Sequence, residues 1–212
     1  MKWGLIMLLS LCGQAFGYVD LDQKMIVLNK SDTRVTLTNK GERTEFIQLS
    51  LAQLTNPGVE VEQEKLIPLT EIAEPAVYAF PLKMTLQPGQ SKKIIIRRLK
   101  PVVQEDVYRL IITPKINLRQ DKDSSEGSGV VLNIGYKALL RVLPEVKKDT
   151  FSVVCDPQGG KIIATGTLRH IFEKVSISGK NVSTFNVYPG TPYSFQGKPL
   201  HYDTKDYCMQ SM

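Results

Sequence analysis

The sequence predicts an all-β protein made of two immunoglobulin-like β-sandwich domains, of which the second is small. Apolar and polar residues alternate over many short segments, and turn clusters such as Asn56-Pro-Gly58 separate these segments. No segment has sustained helical periodicity. Between residues 18 and 144 the pattern gives about seven strands, the number that one immunoglobulin-like sandwich uses.

The first 17 residues are predicted to be a signal peptide that takes no part in the fold. Lys2 supplies the positive charge, an apolar run covers residues 5–11, and Ala15 and Gly17 are the small residues of a cleavage site before Tyr18. A membrane span would need about 20 apolar residues, and this run is much shorter. We therefore expect an exported protein.

Removal of the signal peptide leaves two cysteines, Cys155 and Cys208, and lowers the formal net charge of +6 by one. Exported proteins reach compartments in which disulfides persist, and a small domain gains most from one. We therefore expect these two cysteines to pair. The mild basic excess is only a weak indication of acidic partners, and no aromatic–basic motif suggests nucleic acid.

The first domain is predicted to span residues 18–146. Its strands are read from alternating or apolar runs that end at turn residues, at 21–28, 34–38, 46–51, 91–98, 108–113 and 129–144. Pro114 is expected to end the fifth of these. Residues 115–129 form a polar loop rich in Gly and Ser, and 144–149 form the linker.

The run from Gly129 to Pro144 reads as one long strand around which the domain is organised. Its two-residue period places six side chains on one face: Val130, Leu132, Ile134, Tyr136, Ala138 and Leu140. Lys137 interrupts the other face. It is either a charge that protects an exposed edge, with its stem packed on apolar neighbours, or an anchor for an anion beside an edge that accepts another strand.

The second domain is predicted to span residues 147–212. Four strands are expected, at 151–155, 161–164, 172–177 and 182–188. So short a domain buries a small core, which is the setting in which a disulfide is most useful.

The sequence shows no catalytic or metal-binding constellation. His170 and His201 are the only histidines, and neither has the spacing of a metal site. The segment His201-Tyr-Asp203 is better explained as an exposed loop than as part of a site. We therefore expect no enzyme activity and no cofactor.

Three stretches together resemble the periplasmic pilus-assembly chaperones of the chaperone–usher pathway, the PapD-like family or its alternate branch. They are 86–94, Glu105-Asp-Val-Tyr-Arg-Leu-Ile111, and the strand that contains Ile134-Gly-Tyr-Lys-Ala-Leu-Leu-Arg141. The resemblance implies a periplasmic chaperone with pilus or fimbrial subunits and an outer-membrane usher as partners. It also implies donor-strand complementation, in which the chaperone lends a strand to an incomplete subunit.

The resemblance assigns roles to individual residues. Val130, Leu132, Ile134 and Tyr136 would be the donor-strand side chains that fill the subunit's groove. Lys137 would bind the subunit's terminal carboxylate. A second cation is expected on the first strand, where either Lys24 or Met25 aligns, and Lys24 is the chemically sensible choice.

The same resemblance implies an ion pair between Glu105 and Arg141 near the domain junction, with Asp203 or Asp206 as a further acidic partner. A different class of function also fits the strand pattern, namely a secreted β-sandwich binding module such as a pilus or surface subunit. A chaperone and a subunit would differ in behaviour, because a subunit needs a partner strand and would precipitate alone.

Overall fold

The computed structural model describes residues 19–29, 31–115 and 134–209. Regular structure in these ranges is β, apart from single 3₁₀ turns at Val61–Gln63 and Leu69–Glu71. The predicted all-β, two-domain sandwich fold is confirmed. No helix in the described ranges has the length and apolar character that crossing a membrane would take.

Two sheets form the first sandwich. One has the strand order β1-β3-β8-β6, and the other has the order β2-β10-β9-β4-β5, with β7 also paired to β4. The strands are β1 (Val19–Leu21), β2 (Met25–Leu28), β3 (Asp32–Asn39), β4 (Glu45–Leu54), β5 (Leu66–Pro68), β6 (Val77–Phe80), β7 (Lys83–Leu86), β8 (Ser91–Arg98), β9 (Asp106–Lys115) and β10 (Tyr136–Val142). The pairing of β2 with β10 is parallel, and the other pairings of these ten strands are antiparallel.

Alternate residues of the two sheets form the core of the first sandwich. In β9 the inward residues are Tyr108, Leu110 and Ile112, and in β10 they include Ala138 and Leu140, all of which are buried. Each fully buried Leu or Ile contributes about 1.5–3 kcal/mol relative to an exposed one. The face predicted for β10 is thus the core face over the described part of that strand.

The structure corrects three of the predicted strands of the first domain. Residues 21–28 form two strands in different sheets, because a polar break at 22–24 lets the chain leave β3 and pair with β10. β9 also continues through Pro114, which pairs with Ile47. The strand predicted at 129–144 is also shorter, because within the described residues β10 covers only Tyr136–Val142. It begins opposite Ile112, so no β10 strand residue lies opposite this proline.

The C-terminal sandwich has nine short strands within the described residues: β11 (Phe151–Cys155), β12 (Gly159–Ala164), β13 (His170–Phe172), β14 (Val175–Ile177), β15 (Lys180–Val182), β16 (Phe185–Val187), β17 (Tyr193–Gln196), β18 (Leu200–Tyr202) and β19 (Lys205–Tyr207). The predicted strands 172–177 and 182–188 are each divided. Lys174 has a φ of 54° and divides the first of them, since a left-handed residue cannot continue a strand.

Cys155 and Cys208 form a disulfide in the structure, with their Cα atoms 5.3 Å apart. Cys155 is the last residue of β11, and Cys208 follows β19 directly. The bond therefore ties the end of the described chain to the first strand of its own sandwich. In the chain-entropy description, closing a loop of this size is worth about 4 kcal/mol.

Burial of Tyr108 in the first core gives the protein a stability loss at high pH. Burial, with a smaller contribution from the nearby Asp106 charge, raises the pKa of Tyr108 to about 12. The folded pKa lies above the unfolded value of about 10, so the stabilisation is complete below pH 10 and is lost as pH rises towards 12. We expect a loss of about 3 kcal/mol from this group across that window.

Denaturant unfolding of the parent and Tyr108→Phe at pH 9 and pH 12 measures the loss. Phenylalanine has no proton to lose, so the parent should lose about 3 kcal/mol more than the variant between the two pH values. Equal losses in both proteins would mean that Tyr108 does not limit alkaline stability.

Candidate functional site

The outward face of the sheet that contains β10 meets the C-terminal sandwich at one end, and this face is here called the cleft floor. Strand register places its side chains in rows across β2, β10 and β9. The row nearest the C-terminal sandwich contains Val27, Arg141 and Val107, and the next row contains Met25, Leu139 and Arg109. Lys137 pairs with Ile111 in the third row. Apolar and cationic side chains therefore share one surface.

Tyr188 of the C-terminal sandwich covers one end of this floor. It is buried in a small apolar cluster with Leu54 and Val107 of the first sandwich, and Leu66 and Leu139 pack against the same cluster. The cluster covers Val107 of the first row and contacts Leu139 of the second, whereas Val27 and Met25 on the β2 side of these rows are 40% and 53% exposed.

Lys137 lies two residues beyond Leu139, which is about 7 Å along the strand. Its side chain is exposed and makes no ion pair or hydrogen bond with the part of the chain that the structure describes. The carbonyl of Lys137, in contrast, accepts a hydrogen bond from Arg109 Nη1 at 3.2 Å. The residue thus has a backbone held by Arg109 and an exposed amine that no described residue binds.

The two candidates for a second cation have different geometry. The parallel register pairs Met25 with Leu139, so Met25 shares the face of Lys137, and it is 53% exposed. Lys24 precedes β2, and its carbonyl accepts the N–H of Leu139 at 2.9 Å. Lys24 is therefore attached to β10 through its backbone, while the side chain beside Leu139 on the cleft floor is that of a methionine.

Two of the four predicted donor-strand residues, Val130 and Leu132, lie outside the described residues. Ile134 is described, lies just before β10 and is 51% exposed. Tyr136 is half-buried against the core of the first sandwich, and its hydroxyl donates a hydrogen bond to the Val19 carbonyl at 2.7 Å. Burial, followed by the Asp20 charge, raises the pKa of Tyr136, which keeps this donor protonated.

A buried carboxylate joins the two sandwiches at the base of the cleft. Glu105 is 4% exposed, and Arg141 binds both of its oxygens, with Nε–Oε1 at 2.5 Å and Nη2–Oε2 at 2.9 Å. The Arg169 N–H donates to Oε2 at 3.0 Å, and the Glu105 N–H donates to the Thr167 carbonyl at 2.8 Å. The ion pair that the resemblance implies is therefore present in the structure, and it is bonded to the C-terminal sandwich.

The second-domain partner of this ion pair is a backbone amide, not the expected Asp203 or Asp206. Asp206 is paired with His201 at 2.7 Å, and Asp203 occupies a left-handed turn position with a φ of 57°. His201 itself lies in β18, so the exposed-loop interpretation of His201-Tyr-Asp203 is wrong for its first two residues. The turn between β18 and β19 holds only the acidic end of that segment.

His170 forms a polar network that the sequence did not predict. Its Nδ1 lies 2.5 Å from Asp149 Oδ1, and its Nε2 lies 2.9 Å from the Tyr202 hydroxyl. The imidazole also packs on Phe151 with ring centroids 4.6 Å apart. Burial and then the charge of Asp203 raise the pKa of Tyr202, so the phenol stays protonated and is a poor nucleophile. The network links the interdomain linker to the C-terminal core.

The sequence also did not predict a second ion pair on the cleft floor. Arg109 binds Glu64 through Nε, at 3.1 and 3.0 Å to the two oxygens, and through Nη2. The two residues are 45 positions apart, and the only signal in the sequence is an arginine inside an apolar strand. Among the described residues, no group of three or more His, Cys, Asp or Glu side chains could hold a metal ion.

Comparison with known proteins agrees on the fold. No protein-family model matches the chain. One curated relative, a CS1 fimbrial subunit from Escherichia coli, is 29% identical over 177 residues, which is 77% of this chain and 73% of that protein.

Among solved structures, the class 5 fimbriae chaperone CfaA has a TM-score of 0.70 at 17% identity, covering 92% of this chain and 100% of its own. A chaperone–tip adhesin complex of CFA/I fimbriae gives a TM-score of 0.71 at 17% identity, with 92% and 99% covered. The periplasmic chaperone SfaE gives 0.58 at 10% identity, with 86% and 89% covered. The chain therefore has the two-domain β-sandwich fold of chaperone–usher pilus chaperones.

Breaking the buried pair at the base of the cleft is expected to destabilise the protein strongly. Arg141→Met leaves the Glu105 carboxylate buried with only backbone partners, so the free energy of unfolding should fall by about 3–5 kcal/mol. Arg34→Met is the matched control, because Arg34 is exposed and lies 3.9 Å from the Asp32 carboxylate. The free energy of unfolding should change by less than about 1 kcal/mol in the control. Denaturant unfolding of both variants at pH 7 measures this, and equal losses would contradict it.

Proposed function

We propose that the chain is a non-enzymatic periplasmic chaperone that binds pilus or fimbrial subunits by donor-strand complementation and delivers them to an outer-membrane usher. The observation that carries the proposal is the state of Lys137. It is an exposed lysine without a partner among the described residues, on the cleft floor, one end of which Tyr188 covers. The fold shared with solved pilus chaperones supports the same conclusion.

In this function β10 and the residues before it act as the lent strand. The large apolar side chains of Val130, Leu132 and Ile134, at alternate positions, would enter the groove of an incomplete subunit. Ile134 is half exposed, as a side chain reserved for a partner should be. Tyr136 would take part at the edge of the groove, since it already packs in part against the first core.

Lys137 would bind the terminal carboxylate of the subunit and so fix the register of the added strand. Its position on the face opposite to the donor side chains separates the two tasks on one strand. Lys24 is proposed as a second ligand for the carboxylate, because its carbonyl is bonded to Leu139, two residues from Lys137. The exposed thioether of Met25 would supply apolar contact beside that anion.

A second candidate function is that of a fimbrial subunit, and the name of the curated relative favours it. The first sandwich supports the chaperone instead, because its two sheets bury a continuous core over the described residues. A chaperone should purify from periplasm as a soluble monomer, together with a client that mass spectrometry can identify. A chain that aggregates when purified alone would favour the subunit.

Replacing the charge of Lys137 should weaken client binding and leave folding intact. Lys137→Met keeps most of the side-chain volume, and one charge-assisted contact is worth about 1.5–3 kcal/mol, or roughly ten- to a hundredfold in affinity. Lys93→Met, at an exposed position of β8 in the other sheet, is the control. Titration of each protein with the co-purified client gives the affinities. If Lys137→Met binds as tightly as Lys93→Met, the lysine only protects an edge.

A charge at the centre of the lent strand should abolish client capture. Leu132→Glu would carry a carboxylate into an apolar groove without a counter-charge, while the free protein should lose little stability. Leu140→Glu is the matched control, since Leu140 is fully buried in the first core and the same change there should unfold the domain. Thermal melting and client pull-down on both variants test this. A melting temperature that falls equally in both would make Leu132 an ordinary core residue.

A further inference from the structure

The connection between β4 and β5, here called the cleft loop (residues 55–65), links the C-terminal sandwich to the cleft floor. The loop is closed on itself, because Thr55 N–H donates to the Lys65 carbonyl at 3.0 Å and Asn56 bonds both Gln63 and Lys65. Its tip lies directly against the other sandwich: a Cβ on Gly58 would stand 2.7 Å from the Asn186 carbonyl oxygen. A self-bonded loop with its tip in contact has little freedom to move.

The far end of the cleft loop holds Arg109 through Glu64. The Arg109 side chain is 14% exposed and that of Glu64 is 5% exposed, so both charges are largely removed from water. The carboxylate occupies Nε and Nη2, and the remaining Nη1 donates to the carbonyl of Lys137. Each of the three nitrogens of the guanidinium therefore has an acceptor within the protein.

We propose that Arg109 is a positioning residue for Lys137, and that Glu64 fixes Arg109 for this task. The inference rests on the proposed function, in which Lys137 binds a carboxylate. Arg109 holds the backbone of Lys137 at the start of β10, where the described strand has its first residues. Glu64 neutralises the charge of Arg109, whereas Lys137 has no acidic partner in the part of the chain that the structure describes. Contacts thus run from Asn186 through the cleft loop to the backbone that carries the anion-binding amine.

The probes are N-acetyl-trialanine with a free C-terminal carboxylate and the same peptide with a C-terminal amide. They differ in the anion alone, and the ratio of their dissociation constants is the carboxylate preference. Backbone amide shifts of residues 136–139 in ¹H–¹⁵N NMR spectra give both constants. We expect the parent to prefer the carboxylate by about tenfold, and Lys137→Met to lose that preference.

Two variants address Arg109. Glu64→Met/Arg109→Met replaces both charges with apolar side chains of similar length, so that no buried charge is left unpaired. Arg109→Lys keeps a positive charge beside Glu64, but it lacks the planar guanidinium that bonds the Glu64 carboxylate and the Lys137 carbonyl together. Both should lower the carboxylate preference at least about fivefold while the melting temperature shows a folded protein. Arg34→Met, an exposed arginine on β3, should leave the preference unchanged.

Combining the double variant with Lys137→Met distinguishes a positioning role of Arg109 from direct contact between Arg109 and the anion. If Arg109 acts through Lys137, adding Lys137→Met to the double variant should produce the same lost preference as Lys137→Met alone. A carboxylate preference that survives in Lys137→Met and disappears when the double variant is added would mean that Arg109 touches the anion, which overturns the positioning role. Retained preference in the double variant and in Arg109→Lys would also overturn it and leave the proposed function standing. A parent without any preference would instead contradict carboxylate binding itself.

Discussion

The relative placement of the two sandwiches depends on one buried carboxylate. Glu105 lies at the start of β9, and its oxygens are shared between Arg141 of the adjacent strand and the Arg169 N–H of the other sandwich. Its own N–H is bonded to Thr167. A buried carboxylate is costly unless all of its bonding capacity is used, and here the partners come from both sides of the junction. Separating the sandwiches would break the bonds to Arg169 and Thr167, while the pair with Arg141 stays within the first sandwich.

The position of the Glu105–Arg141 pair also determines which part of the cleft floor is covered. With Glu105 and Arg141 fixed, Tyr188 packs on Val107 and Leu54 and covers the β9 side of the nearest row of the sheet's outward face. Arg169 also donates to the Tyr188 hydroxyl at 3.0 Å, so the buried phenol has a polar partner. The apolar contact and the hydrogen bonds therefore reinforce a single arrangement. The rows beyond, with Leu139 and then Lys137, remain the part of the surface that a partner could reach.

Sequence pattern predicted those parts of the fold that local periodicity determines. β8 and β11 were predicted with the bounds that the structure has, because each is a run of strand-forming residues between turn residues. The change of sheet between β1 and β2 was not predicted, because the apolar residues of 21–28 give no indication of the sheet to which each belongs. The left-handed Lys174 that divides a strand is likewise set by tertiary packing, against the residue's own preference.

For the cleft, residue types could be predicted, but most of their pairings could not. The pairing of Glu105 with Arg141 came from resemblance to a family, as neither periodicity nor composition joins two residues 36 positions apart. The choice between Lys24 and Met25 depends on the parallel register of β2 with β10, which no local pattern sets. The pairing of Arg109 with Glu64 arises because the cleft loop folds over the sheet, a purely tertiary event.

The distribution of charge on the cleft floor explains why a lysine, and not an arginine, is the cation without a partner among the described residues. Arg141 and Arg109 are each only 14% exposed on their side chains, and each is neutralised by a carboxylate that is almost fully buried. A planar guanidinium suits such bidentate, desolvated pairs. Lys137 has a compact, strongly hydrated amine on a flexible stem, which can stay in water without a partner and be desolvated later. The two internal carboxylates therefore hold the arginines in structural roles, while the amine of Lys137 stays exposed and has no partner in the described ranges.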